Sequence, residues 1–150
     1  MRTLTASLAG LALCVLLGSV HADDAISSDR PDLADSPDVV GRGRLQLELG
    51  LNGENSKIQG QKLRALSTPF LLRLGLSENW ELRLDGDGWQ NSHASNAPGA
   101  HGWGDLGLGA KWHLSDGDAD KGLPAMALIG TVTYATGSAA FRGQGSRPEL

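Results

Sequence analysis

The sequence has little cysteine, no excess of basic residues and no long apolar run beyond its N-terminus. Its single cysteine, Cys14, lies in the N-terminal apolar stretch, so a mature chain without that stretch forms no disulfide. The 13 Lys and Arg residues against 17 Asp and Glu residues argue against a nucleic acid partner, which binds a basic face. No window after residue 22 approaches the ~18 uncharged apolar residues of a membrane-spanning helix. With no helical periodicity there either, the composition predicts a turn-rich, all-β protein.

The first 22 residues have the pattern of a secretion signal. Arg2 supplies a positive start, residues 6–20 are apolar, and Val20-His21-Ala22 has small or apolar residues at the two positions that a signal peptidase reads. We therefore expect cleavage between Ala22 and Asp23. The residue before the cysteine is too large for a lipoprotein cleavage site, so lipid attachment is not predicted. Loss of the signal changes the net charge from −4 to −5, because it removes one arginine and no acid.

The chain after the signal divides into a leader and a β domain. Residues 23–43 form an acidic leader whose aspartates and prolines predict an extended, poorly ordered segment. Residues 44–150 form the β domain. Within it, leucines recur at alternate positions from Leu66 to Leu76, and a period of two predicts a strand. A strand of about 9 to 11 residues is the length that a tilted crossing of a bilayer needs.

Five strands are predicted, and their connections alternate in length. The strands lie near Arg44 to Asn52, Leu66 to Leu76, Trp80 to Gly88, Gly104 to Leu114 and Ala125 to Thr136. The connections over 53–65, 89–103 and 137–147 are long, whereas 77–79 is a tight turn, an asymmetry typical of outer-membrane barrels. Because known closed barrels have at least about eight strands, we expect an antiparallel meander of an outer-membrane β-barrel, truncated after about five strands. Arg147-Pro148-Glu149-Leu150 is similar to the start of the next strand.

One register of the third and fourth strands predicts which side chains share a face. If Trp80 faces Trp112, then Glu81 faces Lys111 on the opposite side, which gives one apolar face and one charged face. The tight turn also sets two arginines opposite each other, and these need diagonal partners, water or an ion. The residues predicted to line an interior lumen are Arg73, Glu81, Arg83, Asp85, Asp105 and Lys111. The alternative is that these charges form the solvent face of a two-layer soluble protein.

No motif for catalysis, a cofactor or a metal is predicted. Gly102-Trp103-Gly104-Asp105-Leu106-Gly107 has the letters of a dinucleotide-binding loop but opens a strand, whereas that site needs a helix after it. Asp116-Gly117-Asp118-Ala119-Asp120 begins like a calcium loop but lacks its glycine and final acid, so a solvated turn is expected. The histidines lack metal-ligand spacing, and no serine sits in a nucleophile elbow. The chain is therefore not expected to be an enzyme.

An ordered series of short blocks runs along the chain: Ser28-Asp29-Arg30-Pro31-Asp32, Ser36-Pro37, Leu45-Gln46-Leu47-Glu48, Ser67-Thr68-Pro69, Leu72-Arg73-Leu74-Gly75-Leu76, Glu81-Leu82-Arg83, Gly104-Asp105-Leu106-Gly107-Leu108-Gly109-Ala110-Lys111, Leu123-Pro124-Ala125 and Thr136-Gly137-Ser138. In this order the blocks resemble a family of bacterial outer-membrane β-barrel, transporter-like proteins labelled putative MetA-pathway of phenol degradation. The resemblance implies an outer-membrane barrel inserted by the barrel-assembly machinery. Some family members are encoded beside pathways that degrade aromatic compounds.

These observations favour an outer-membrane transport or channel protein for small compounds of aromatic or otherwise apolar character. Its expected partners are outer-membrane lipid and a small-molecule solute. The alternative is a non-transporting exported β protein, either a surface adhesin or a periplasmic binding module, that uses the predicted loops at 53–65 and 89–103.

Overall fold

The computed structural model of the chain describes residues 28–29, 35–58, 61–95, 97–143, 145 and 147–149. The predicted signal peptide, its cleavage site and part of the acidic leader lie outside the described residues. Within the described ranges, no helix is long and apolar enough to cross a membrane. The elements are β1 (Leu45–Leu49), β2 (Asn52–Ile58), β3 (Gln61–Ser67), β4 (Phe70–Gly75), β5 (Trp80–Gly86), β6 (Trp89–Ala94), β7 (Ala100–Trp103), β8 (Leu106–Ser115), a 3₁₀ turn (Ala119–Lys121), β9 (Met126–Tyr134) and β10 (Arg147–Glu149).

The strands form two antiparallel sheets. One has six strands in the order β1-β4-β5-β8-β9-β10, and the other has four in the order β2-β3-β6-β7. The six-stranded sheet is open, with β1 at one edge and β10 at the other. The predicted all-β antiparallel meander is confirmed. β10 also begins at Arg147, where the sequence indicated the start of the next strand.

The predicted long loops over 53–65 and 89–103 are wrong, because both regions are hairpins. β2 and β3 form one hairpin, and β6 and β7 form the other. The sequence of β2, NGENSKI, has almost no apolar residues, so it lacks the alternation by which buried strands are recognised. β2 is held in the hairpin by its main-chain pairing with β3 from Asn52 to Ile58. The solvated turn predicted at 116–120 is confirmed, since Asp118 caps the 3₁₀ turn through its side chain.

The predicted register between the third and fourth strands is confirmed. Trp80 pairs with Trp112 and Glu81 with Lys111, and every β5–β8 pair keeps that register. The register continues without a shift into the second sheet, where Trp89 in β6 pairs with Trp103 in β7. The two sheets are therefore successive lengths of the same strand pairs.

A bulge at Gly88 interrupts the strand that contains β5 and β6. Gly88 has a φ of 61°, and a Cβ there would lie 2.1 Å from the main-chain oxygen of Thr68, so glycine is required. The Trp89 amide donates to Thr68 Oγ1 at 2.8 Å and closes the bulge. Pairing with the neighbouring strand accordingly shifts by one residue, from Phe70 opposite Gly86 to Ser67 opposite Gln90.

The two faces of the six-stranded sheet are opposite in polarity. Among the described residues, Val40 and Leu71 are the buried apolar side chains, whereas six buried side chains are acidic or basic. Those six are Asp29, Glu48, Arg73, Glu81, Arg83 and Lys111. The other face, called here the outer face, presents exposed leucines on each long strand, including Leu47, Leu74, Leu82, Leu108 and Leu128. The side with the buried charges is called the inner face.

Candidate functional site

An N-terminal segment, defined here as residues 28–29 and 35–41, lies against the inner face. The Val40 amide donates to Glu81 Oε2 at 2.8 Å, and the Pro37 carbonyl oxygen lies 2.9 Å from His113 Nδ1. A Cβ on Gly75 would lie 2.2 Å from the carbonyl oxygen of Val40, so the segment crosses β4 in close contact. The described part of the leader packs on the sheet through hydrogen bonds and ion pairs, whereas the sequence predicted an extended, poorly ordered segment. It packs because its acidic and main-chain groups meet buried cations and carboxylates.

Arg73 in β4 binds acids on both sides of its own strand. Its Nε and Nη2 donate to the two oxygens of Glu81 at 3.0 and 2.9 Å. Its Nη1 donates to Glu48 at 3.4 Å, and Nη2 also donates to the carbonyl oxygen of Asp38 in the N-terminal segment at 2.9 Å. This guanidinium therefore joins β1, β4, β5 and the segment.

Asp29 is the acid on which three cations of the six-stranded sheet, called here the wall, converge. Its Oδ2 lies 2.7 Å from Arg83 Nη1, 3.1 Å from Lys111 Nζ and 3.5 Å from Arg73 Nη1. Its second oxygen accepts the amide of Ser36 at 3.1 Å. Burial acts to raise the pKa of the Asp29 carboxyl, but the charge of Arg73 and the hydrogen bonds from Lys111 and Arg83 outweigh it and hold that pKa below its ordinary value. Asp29 is thus held as a carboxylate inside the protein.

Glu48 in β1 holds the main chain of the N-terminal segment at the same point. It accepts the Asp29 amide at 3.1 Å and the Ser28 hydroxyl at 3.0 Å. Gln46, two residues earlier on the same face, donates to Glu48 at 2.9 Å. The six buried groups contain three carboxylates and three cations, so the buried charges balance, and the more exposed Asp35 adds a further carboxylate 2.9 Å from Arg83 Nη2. Balance and hydrogen bonding are what make buried charge tolerable.

The like-charge contact predicted from the sequence is present and is resolved by acids. Arg73 and Arg83 are directly opposite each other in the β4–β5 pair. Glu81, diagonal to Arg73, contacts both arginines, and Asp29 lies between them from the segment side. Glu81 and Lys111 are opposite each other as predicted, but their side chains bind different partners, because Lys111 contacts Asp29.

Of the six predicted interior residues, four are brought together and two lie elsewhere. Arg73, Glu81, Arg83 and Lys111 are in the cluster. Asp85 is half-buried further along the inner face of β5, where a Cβ on its cross-strand partner Gly107 would lie 2.7 Å from its carboxylate. The assignment of these residues to a lumen stays a prediction.

Asp105 binds a loop rather than the cluster. It accepts the amides of Gly137 and Gly143, each at 2.8 Å, and so fixes the loop between β9 and β10. Asp105 therefore has a structural role at the hairpin end of the sheet.

Sequence analysis missed Asp29 and Glu48. Glu48 is the one acid within β1, at an inner position between exposed Leu47 and Leu49, so its alternation was a usable signal. Asp29 carried no local signal, because its partner Lys111 is 82 residues away in the chain. The pair of facing arginines was the indirect sign that a further acid was needed.

Two pairs of tryptophans lie on the outer face, one at each end of the β5–β8 strand pair. The rings of Trp80 and Trp112 are stacked, with centroids 5.3 Å apart and planes at 6°. The rings of Trp89 and Trp103 meet edge to face at 5.6 Å. All four rings are partly exposed, and exposed leucines that include Leu82 and Leu108 lie between the two pairs.

The hairpin sheet carries a small polar hollow of about 170 Å³ on the side of the inner face. Its lining is Asn52, Glu54, Ala65, Leu66, Ser67, Asp87, Gln90, Asn91, Ser92 and Phe141. Across the described ranges, no group of three or more His, Cys, Asp or Glu side chains is placed to hold a metal ion.

Comparison with known proteins gives one family match. The profile of the family described as "Putative MetA-pathway of phenol degradation" matches residues 28–146, from the N-terminal segment to the loop before β10. No curated protein and no solved structure matches the chain significantly. The match covers most of the sequence, including all six residues of the buried cluster. The chain belongs to the family described as putative MetA-pathway of phenol degradation.

Proposed function

We propose that this protein is an outer-membrane transport or channel protein for small compounds of aromatic or otherwise apolar character. The observation that carries the proposal is the inverted polarity of the six-stranded sheet, whose leucines are exposed and whose arginines, lysine and carboxylates are buried. A family named for phenol degradation supports the aromatic class of solute.

The outer face has the dimensions of a membrane crossing. Trp103 and Trp112 are nine positions apart along the continuous strand that contains β7 and β8, which is roughly 29 to 31 Å. At a tilt of about 40° this becomes roughly 20 to 25 Å, close to the ~25 Å apolar band between the aromatic girdles of outer-membrane barrels. Tryptophan favours both interfaces of a bilayer because its ring is apolar and its N–H is polar. The exposed leucines between the pairs would then contact lipid.

The inner face would form part of a solute path. Arg73, Glu81, Arg83 and Lys111 project from it, and the N-terminal segment lies over them. A solute path along this wall would pass the charge cluster, and the N-terminal segment would narrow that path.

Cell fractionation tests the location. We expect the protein in the outer-membrane pellet after a urea wash, since lipid-facing leucines are not extracted by urea. Recovery in the soluble periplasmic fraction would contradict the proposal and favour the periplasmic binding module. A pellet that urea strips would favour an adhesin bound at the surface.

Transport is tested separately on purified protein in lipid vesicles. We expect vesicles preloaded with a small aromatic solute to release it faster when they contain the protein assembled into a closed barrel than when they are empty, because an open sheet leaves unpaired strand edges in hydrocarbon. A matched control is Leu108→Arg, which places a charge in the proposed lipid-facing band and should prevent insertion. Equal release from protein-containing and empty vesicles would contradict a transport role for the chain.

A further inference from the structure

We propose that Arg73, Arg83 and Lys111 form a binding site for a small monocarboxylate, and that the Asp29 carboxylate occupies this site as an internal substitute for that ligand. The inference deepens the proposed function, on which its role in solute selection rests. The binding itself does not depend on transport.

The geometry around Asp29 is that of a bound carboxylate. One oxygen meets a guanidinium N–H at 2.7 Å and an ammonium at 3.1 Å, with a second guanidinium at 3.5 Å. The cations come from three different strands, β4, β5 and β8, so the strands themselves fix their spacing. Arginine and lysine together are the groups that proteins use to bind carboxylates.

Without the N-terminal segment, the wall has one uncompensated positive charge at this point. Arg73, Arg83 and Lys111 carry three positive charges, whereas Glu48 and Glu81 carry two negative charges. Glu81 is already engaged by both arginines, Glu48 by Arg73, and Asp35 of the N-terminal segment by Arg83, so Lys111 is the cation that depends on Asp29. Within the described part of the chain, Asp29 is the acid that pairs with Lys111, whose side chain is fully buried. Without Asp29 this ammonium needs another anion, because an unpaired buried charge is strongly unfavourable.

The N-terminal segment is suited to exchange with a solute. Among its described residues, Val40 is the apolar side chain buried against the sheet, and the other contacts are hydrogen bonds and ion pairs. A soluble carboxylate can replace Asp29 in each contact with the wall cations. A neutral compound of the same shape cannot, since it carries no charge to balance Lys111. The site therefore favours carboxylates over neutral aromatic compounds.

Titration calorimetry on the purified chain in detergent micelles tests this proposal, with benzoate as the probe and benzyl alcohol as its neutral counterpart. Asp29→Ala should bind benzoate at least about tenfold more tightly than the native protein, because the competing carboxylate is gone. Asp38→Ala is the matched control, since its side chain contacts Ser36 and not the wall cations. Asp38→Ala should bind benzoate as the native protein does. Asp29→Ala combined with Lys111→Gln should lose the gain.

Two results of the calorimetry would overturn the proposal. One is that Asp29→Ala binds benzoate no more tightly than the native protein. The other is that benzyl alcohol gains as much affinity as benzoate, which would mean a newly opened apolar cavity rather than a carboxylate site.

A second measurement covers the case in which Asp29→Ala fails to fold. Its refolding yield is then compared in sodium acetate and in sodium chloride at equal ionic strength. Recovery in acetate alone supports the site, and equal failure in both salts overturns it. Fractionation and vesicle release are independent of this result, so benzoate binding by a periplasmic protein would reject the transport proposal and leave the site in place.

Discussion

Leu82 and Arg83 are neighbours in the chain, yet they meet opposite surroundings. Leu82 is 40% exposed on the outer face. Arg83 is 6% exposed and contacts Asp29, Asp35 and Glu81. In a water-soluble protein the apolar residue of such a pair is the one that is buried. The wall is held together on its inner side by ion pairs, whereas its outer side leaves leucines exposed.

The largest effect is expected from removing a carboxylate from the inner face. Glu81→Gln should lower the free energy of unfolding by about 3 to 5 kcal/mol, because it leaves Arg73 and Arg83 with a missing buried partner. Urea unfolding in micelles, followed by tryptophan fluorescence, measures the change. Glu54→Gln in exposed β2 is the matched control and should have little effect. Equal stability of the two variants would mean that the inner face is wet and screened.

An arginine on the outer face should have the next largest effect, and the effect should depend on depth. Leu108 lies between the two tryptophan pairs, and Leu108→Arg should cost about 2 to 4 kcal/mol in a bilayer. Leu114 lies beyond Trp112, so Leu114→Arg should cost about 0 to 1 kcal/mol. Folding yield into lipid vesicles distinguishes the two. A soluble protein would tolerate both changes alike, since both leucines are exposed.

Filling the contact between β4 and the N-terminal segment should have a smaller effect. In Gly75→Ala the new Cβ would lie 2.1 to 2.2 Å from the main-chain oxygens of Gly41 and Val40, so the segment must move. We expect a loss of about 1 to 3 kcal/mol and faster proteolysis of the segment. Gly53→Ala is the control, because a Cβ there meets nothing within 4 Å. Unchanged proteolysis in Gly75→Ala would show that the segment is not held at β4.

The smallest effect is the pH dependence of the N-terminal segment. The pKa of Asp29 is below its ordinary value of 3.8, so its contribution is complete above about pH 4 and is lost as the pH falls through the lowered pKa. Protection of the segment from hydrogen exchange should fall over that acidic range. Asp29→Asn should start with less protection and converge with the native protein at the acid end. Parallel curves for the two proteins would remove Asp29 as the group responsible.

Parts of this structure were predictable because cross-strand pairs agree with one another. A single register brought Trp80 onto Trp112 and Glu81 opposite Lys111, and a second register would have mixed polar with apolar residues on both faces. The ion-pair partners of Glu81 and Lys111 were not predictable. The register fixes which main-chain positions are opposite each other, but it does not fix which side chains a long arginine contacts. Asp29 enters the cluster from a segment with no strand periodicity. Such contacts depend on the fold being formed first.

The bulge at Gly88 decides which side of the wall the second aromatic pair occupies. Trp80 and Trp112 have even numbers and Trp89 and Trp103 have odd numbers, so strict alternation along each strand would put the two pairs on opposite sides. The additional residue at Gly88, matched by one near Gly104 on the partner strand, reverses the alternation between the pairs. Gly88, which accepts a left-handed conformation, thus determines which face each later side chain of its own strand occupies. Removing Gly88 alone would restore strict alternation in its own strand and turn the Trp89 ring to the inner face, away from Trp103.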